Sequence, residues 1–385
     1  MCAIRGYNQP MKIAILNGLT AQQFLAEYWQ KKPLLIRRAF PGFQDFVSGE
    51  MLQAFAQKEA VQSRLVAERD GHWEVQPGPL KLRDFKRLKR ARWSLLVQGV
   101  EQLLPAARAL LASFNFIPHA RLDDLMVSYA LQGGGIGPHF DSYDVFLLQG
   151  QGHKLWQISA QADRALIPDA PLRILRRFKP EQEWILGPGD MLYLPPCYAH
   201  YGMALNACLT YSIGFRAPTN QELVTQFLVY LQDKIDVPGL YTDPDLKLQA
   251  HPAQIAAGMI DQVAAVIGQL TWDRNDITQF IGSYLSEPKP HVYFETPARP
   301  LSCAKFVAAA SKRGVRLALQ SQLLFSGTQL FMNGEFVRVG AGRKNLIALA
   351  DHRYLQGPLS LPKSTWAILY DWYQAGYITL SSGVK

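Results

Sequence analysis

Between Asp124 and Arg216 the chain runs as short apolar segments broken by glycine, proline and polar residues: "LMVSYAL", "YDVFLLQ", "HKLWQIS", "EWILGPGDMLYLPP" and "LTYSIGF". Valine, isoleucine, leucine, tyrosine and phenylalanine dominate, and each run is too short for an ordinary helix. Several such strands with turn signals at modest spacing make a β-sandwich or barrel. "DDLMVSYAL" alternates strictly, so Asp124, Met126, Ser128 and Ala130 share one face and Leu125, Val127 and Tyr129 the other. The second face reads as packed. The first carries an acid, a thioether and a hydroxyl, and reads as a pocket lining.

The flanks have a different grain. Upstream, a short amphipathic helix (Ala21–Trp29) precedes the extended run Leu34–Ile36, and apolar spacings of three and four predict helices over 43–58 and 99–112. Downstream, "NQELVTQFLVYLQDKI" (220–235) reads as a helix capped by Asn220, followed by helices over 252–270 and 274–286 and a proline-studded linker over 286–300. The 220–235 helix is apolar over more of its circumference than one neighbour covers, which predicts a homodimer. In "TQLFMNGEFVRV" the pair Asn333-Gly334 marks a hairpin tip. With helices in "RKNLIALADHR" and "KSTWAILYDWYQAGYITL", two strands and their helices predict a winged-helix-like module.

A chain of 385 residues, 48% of them hydrophobic, has room for two or three cores. It has no apolar run near the roughly 20 residues a bilayer span needs. The first residues show no signal-peptide pattern; Met11 is an alternative start that leaves the first ten residues as a disordered tail. Cys2, Cys197, Cys208 and Cys303 are scattered. That argues against a disulfide framework or a zinc knuckle and for a reducing cytoplasm. A formal net charge of +9 favours anionic surroundings, and the densest basic runs are "FKRLKRAR" (85–92) and "RILRRFK" (173–179). No RNA-binding motif accompanies either, so both read as solvated faces.

The chemistry concentrates in "GGGIGPHFDSYDVF". In a strand, His139 and Asp141 point the same way. Alone the pair is a weak signal, but His200 follows the strand "DMLYL" and its stop "PP". Antiparallel pairing of the two segments would gather two histidines and one carboxylate. That is the facial triad of non-haem Fe(II), with three coordination positions open. A structural zinc site wants four ligands and favours cysteine. Lys154, opening "KLWQIS", becomes a buried cation beside a metal if it points inward, and a dicarboxylate is the anion that suits it. Tyr143 shares the ligand face only if the strand continues through Ser142. The glycines before His139 lack the pattern of a phosphate loop and read as a flexible approach to the metal strand. His72, His119, His153, His251, His291 and His352 have no partners at ligand spacing.

Together, "YWQKKPLLIRR", "GPHFDSYDVF", "GPGDMLYLPPCYAH" and "YSIGFRAP" resemble the JmjC-type 2-oxoglutarate oxygenases, and within them the bacterial ribosomal oxygenases that hydroxylate arginine on large-subunit ribosomal protein number sixteen. The resemblance covers nearly the whole chain. It implies an α+β fold: a double-stranded β-helix, the cupin/JmjC jelly-roll barrel, with N-terminal helices (1–218), a helical dimerisation region (219–290), and a linker with a winged-helix-like domain (291–385). It implies His139, Asp141 and His200 as Fe(II) ligands, and Lys154 with Ser128 as the holders of 2-oxoglutarate. Asp124, Met126 and Tyr143 would line the arginine pocket. Some members carry arginine at this position; Lys154 keeps the charge and loses the bidentate fork. The implied reaction consumes O2 and 2-oxoglutarate, releases succinate and CO2, and β-hydroxylates the arginine. The winged helix makes nucleic acid a candidate partner.

Two other classes compete. A cupin-type metal enzyme on a small molecule, or a lysine demethylase, keeps the fold and changes the substrate; H-x-D instead of H-x-H and the long C-terminal extension weigh against the cupin. A non-catalytic RNA- or ribosome-binding module keeps the shape alone; the intact triad and Lys154 weigh against it.

Overall fold

The computed structural model describes residues 14–88 and 92–381. The alternative start at Met11, the N-terminal tail, Cys2 and part of the 85–92 basic run lie outside them. Twelve strands build the first part of the chain: β1 (Leu34–Ile36), β2 (Ser63–Arg69), β3 (His72–Pro77), β4 (Arg92–Val97), β5 (Leu122–Ala130), β6 (His139–Phe140), β7 (Asp144–Gln149), β8 (Lys154–Ser159), β9 (Gln182–Leu186), β10 (Met191–Leu194), β11 (Ala199–Ala204) and β12 (Cys208–Phe215). They form an eight-stranded sheet, β1-β10-β7-β12-β5-β4-β2-β3, and a four-stranded sheet, β6-β11-β8-β9. Their pairs are antiparallel, and together they make the jelly-roll barrel.

Alternation along each strand divides the apolar residues between two cores. Leu125, Val127, Phe146, Leu148, Tyr193, Tyr211 and Ile213 face outward from the larger sheet into a core shared with the N-terminal helices. Their neighbours Val145, Leu147, Leu192 and Leu194 face inward and meet Trp156, Ile158 and Leu186 of the smaller sheet. That inner cluster closes part of the barrel and leaves the rest hollow.

Polar contacts fasten the N-terminal segment to the barrel. β1 pairs with β10, and Asp190 in the turn before β10 takes Arg37 at 2.6 Å and the Arg38 amide at 3.0 Å. Gly189 needs its positive φ of 84°, and a Cβ there would press within 2.3 Å of the Phe40 carbonyl. Asp144, fully buried, accepts from the Tyr193 hydroxyl at 2.6 Å and from Gln30 Nε2 at 2.9 Å, and lies 3.5 Å from Arg121. Phe24, on a helix opened by the Thr20–Gln23 capping box, meets the Tyr193 ring edge-on.

The structure corrects several sequence-based expectations. The helix expected over 43–58 spans only Gly49–Phe55, where Ser48 supplies the cap. The 99–112 stretch divides into a 3-10 turn (Val100–Gln102) and a helix (Pro105–Ala112), because proline starts a helix readily and interrupts one. Thr219, not Asn220, caps the helix Asn220–Gln232, its side chain accepting from the Glu222 amide. The next helix covers Ala257–Ile267 and has no buried residue, and the third is Arg274–Ser286 as expected. Strands β2 to β4 had no counterpart in the reading; β2 is buried on both faces at its centre and shows no clean alternation.

The C-terminal module is richer than two strands. It holds β13 (Gly314–Leu317), β14 (Leu323–Ser326), β15 (Gln329–Met332), β16 (Glu335–Val337), β17 (Tyr354–Gln356) and β18 (Ile378–Leu380) in two three-stranded sheets. Asn333 and Gly334 turn β15 into β16 with φ of 50° and 92°, the expected hairpin. The last helix stops at Gln374, and Gly376 turns the chain into β18. Phe306, Leu346, Leu349 and Leu369 fill its core. Among the described residues no helix is long and apolar enough to cross a membrane.

Tyr193→Phe is expected to destabilise the protein by about 1–3 kcal/mol, since buried Asp144 and the Gln30 amide lose a partner. The shift in urea midpoint at unchanged m-value measures it; no shift would show that the buried carboxylate does not depend on the hydroxyl.

Candidate metal centre

β6 is only two residues long, and it pairs with β11 so that His139 stands directly opposite His200. Asp141 follows two residues after His139. The possible ligand atoms of the three lie within 4.8 Å of one another. Asp141 is 3.7 Å from His139 Nε2 and 3.5 Å from His200 Nε2. Each imidazole gives its Nδ1–H to a carbonyl, His139 to Gly137 at 2.9 Å and His200 to Tyr198 at 3.1 Å. Those bonds leave both Nε2 lone pairs toward Asp141, the arrangement a metal-binding histidine needs. Burial pushes His200 down to about 4, with His139 adding to the effect, so its ring is neutral at neutral pH. Two imidazole nitrogens and one carboxyl group on one side of an open cavity match the donor set of a non-haem Fe(II) centre.

The cavity, about 250 Å³, lies between the two sheets. From the smaller sheet come His139, Lys154, Trp156 and His200; from the larger come Met126, Ser128, Leu147 and Ser212. Lys154 is buried, its Nζ 4.8 Å from the centre of the Trp156 ring. Burial holds its ammonium below the ordinary value, while nearby Cys208 acts the other way. It has no ion-pair partner among the described residues, and the buried Trp156 Nε1 has no hydrogen-bond partner among them. Lone buried donors in a largely apolar cavity call for an anion. Gly202 makes the room, since a Cβ there would come within 2.8 Å of Lys154 Cε and 2.7 Å of Trp156.

Tyr143 also lines the cavity, although the strand ends at Phe140 and residues 142–143 form a bend. The condition set on it, continuation through Ser142, is not met. The bend carries the chain from the smaller sheet to the larger around the mouth, and this turns the ring inward. Asp124 lies just outside the cavity wall. Its Oδ2 accepts from the Gly99 amide at 3.3 Å and sits 4.0 Å from Lys289. A Cβ on Gly214 would stand 3.6 Å from Asp124 Oδ1 and 3.8 Å from Tyr143 Cε2, so acid and ring flank the same glycine. Burial pushes the Asp124 carboxyl up to about 7; Lys289 opposes this, while Asp123 and Glu101 add to it.

The glycine run before His139 is closely packed rather than flexible. A Cβ on Gly134 would meet the Trp93 carbonyl at 2.3 Å, and one on Gly135 the Gly202 carbonyl at 2.6 Å. Sequence reasoning also missed Arg64, Ser94 and Leu96, wall residues from β2 and β4. The only sequence signal for them is a run of apolar residues around an arginine.

A family model described as a JmjC domain matches residues 109–223, and one described as a ROXA-like winged helix matches 269–379. The ribosomal protein uL16 3-hydroxylase of Escherichia coli is 34% identical over 314 residues, 81% of this chain and 84% of that protein. A probable ribosomal oxygenase of Haemophilus influenzae is 41% identical over 249 residues, 63% of this chain and 59% of that one. The crystal structure of E. coli ycfD superposes with a TM-score of 0.82 at 32% identity, covering 94% of this chain and 98% of that one. A structure of the same ribosomal oxygenase with cobalt and 2-oxoglutarate superposes with a TM-score of 0.79 over the same shares.

His139→Ala or Asp141→Ala is expected to abolish Mn(II) binding, where the unaltered protein takes up one ion per chain by equilibrium dialysis. Retained binding in either variant would remove that residue from the ligand set.

Proposed function

The chain belongs to the JmjC-type ribosomal oxygenases, and from that premise we propose that it is an Fe(II)- and 2-oxoglutarate-dependent hydroxylase acting on an arginine of ribosomal protein uL16. The observation that carries this reading is the pairing of a His-Asp-His cluster with a buried, unpartnered lysine across one cavity. His139, Asp141 and His200 would hold the iron, and Lys154 with the Ser128 hydroxyl would hold the far carboxylate of 2-oxoglutarate. When bound, Fe(II) with the keto acid and O2 supplies the oxidant: 2-oxoglutarate leaves as succinate and CO2, and one oxygen atom enters an unactivated C–H bond.

The residues of the chain position and enclose. The Gly137 and Tyr198 carbonyls hold both imidazoles in one tautomer. Met126 and the Tyr143 ring offer apolar and aromatic surface to an arginine stem and its planar head, and Asp124, beside Gly214 next to that ring, would take the guanidinium. The inner apolar cluster around Trp156 keeps water from one side of the site.

The unaltered protein with a uL16 peptide is expected to add one oxygen atom to an arginine, detected by mass spectrometry. His139→Ala should abolish both that product and succinate release; full activity in this variant would sink the assignment. The peptide KM should rise about tenfold as pH falls from 8 to 6, because a carboxyl with its midpoint near 7 gains a proton and loses its hold on a cation. Asp124→Asn should raise KM and flatten that profile.

The division at 1–218, 219–290 and 291–385 and a cytoplasmic, dimeric state complete the reading. Val224, Leu228 and Val229 on one helix and Ile260 and Val263 on another are exposed, an apolar surface that a second copy would cover. Sedimentation at micromolar concentration is expected to give a dimer, and Leu228→Glu a monomer. A monomer before substitution would remove the dimer.

A further inference from the structure

Besides Lys154, two arginines line the cavity, the exposed Arg173 and the more enclosed Arg64, and neither the ligand set nor the 2-oxoglutarate reading uses Arg64. Arg64 stands on β2, opposite Leu96 of β4, which in turn stands opposite Ser128 of β5. All three line the cavity, so they form one inward row across the larger sheet. Strand spacing puts Arg64 about 10 Å from Ser128 along it. Arg64 is half-buried, and its Nε is buried without a hydrogen-bond partner. It makes no ion pair among the described residues. Tyr143 lines the same cavity.

The buried Nε of Arg64 has no acceptor, although hydroxyls and a carboxyl group line the same cavity: among the described residues none of them reaches it. Lys154, on the facing sheet, already answers the dicarboxylate. The guest beside Tyr143 is itself a cation, so Arg64 cannot serve its head. When a side chain inserts between Tyr143 and Asp124, its own main chain must lie over the mouth, where each peptide unit brings a carbonyl every 3.8 Å or so. Five N–H donors in a fixed plane suit such oxygens.

We propose that Arg64 is a substrate-binding residue that donates to main-chain carbonyl oxygens flanking the target arginine, and so sets how deep and in which direction the peptide inserts; this rests on the peptide-hydroxylase reading above. The carbonyl contact is independent of the side chains next to the target, so it selects a polypeptide over free arginine.

The test uses the full chain with Fe(II), 2-oxoglutarate and a uL16 peptide, with mass-spectrometric rates. Product from the unaltered protein is the control, and its absence would sink the hydroxylase reading itself. Arg64→Ala and Arg64→Gln are expected to raise the peptide KM about tenfold, one charge-assisted hydrogen bond's worth, with kcat and the 2-oxoglutarate KM changed less than twofold. Peptides in which one flanking carbonyl is reduced to methylene should lose a similar factor with the unaltered protein and nothing further with Arg64→Ala. Unchanged peptide KM in both variants, a rise confined to the 2-oxoglutarate KM, or reduced-amide peptides that match the parent on the unaltered protein would each overturn the proposal. The last comparison needs no variant, so it decides the matter even if both substitutions impair folding.

Discussion

The site depends on two residues of antiparallel pairing. With His200 opposite His139, both imidazoles enter the barrel; a slip of one residue would turn one of them outward. A strand as short as β6 cannot hold that register alone. The other edge of β11 is paired with β8 along its whole length, from Ala199 opposite Ser159 to Ala204 opposite Lys154. The glycine run, packed against the Trp93 and Gly202 carbonyls, brings β6 in at a fixed height. The same β8–β11 ladder therefore sets the positions of His200 and Lys154 together.

The interior is electrostatically unfinished. Lys154 and Arg64 bring two cations without partners, and Asp124 is held near the middle of its titration by burial. Charges in such places lower the stability of an empty fold. The compensation comes from elsewhere, chiefly the outer core, where Phe24, Phe146, Tyr193 and Tyr211 are all fully buried. A rigid apolar shell carries a largely apolar hollow with a few charges set into its wall.

Much of this was readable from residues. Strand parity joined His139 to Asp141, the turn and strand before His200 placed the third ligand, and the opening of "KLWQIS" gave Lys154. The alternation of "DDLMVSYAL" sorted Leu125 and Val127 to the core and Met126 and Ser128 to the cavity. What escaped depends on contacts distant in sequence. Tyr143 faces inward through a bend between sheets, which no period describes. Arg64 lies on a strand buried on both faces, where alternation is masked, and its place in the wall comes from pairing with β4. The cap at Thr219 and the second C-terminal sheet were missed because short polar and apolar runs permit several local structures, and packing selects among them.

The two sheets divide the work. Both histidines and Lys154 belong to the smaller sheet, whereas Arg64, Met126 and Ser128 belong to the larger, and the bend holding Asp141 and Tyr143 is the joint between them. The triad histidines and Lys154 thus stand on one sheet and most of the proposed guest-binding side chains on the other, with Ser128 reaching the cosubstrate from the larger sheet and an apolar cluster joining the two. Side chains on the larger sheet can be exchanged without disturbing the register that holds the metal. In a barrel built this way, side chains of the larger sheet other than Ser128 can be redecorated to admit a different guest while the β6–β11–β8 ladder keeps both histidines and Lys154 in place.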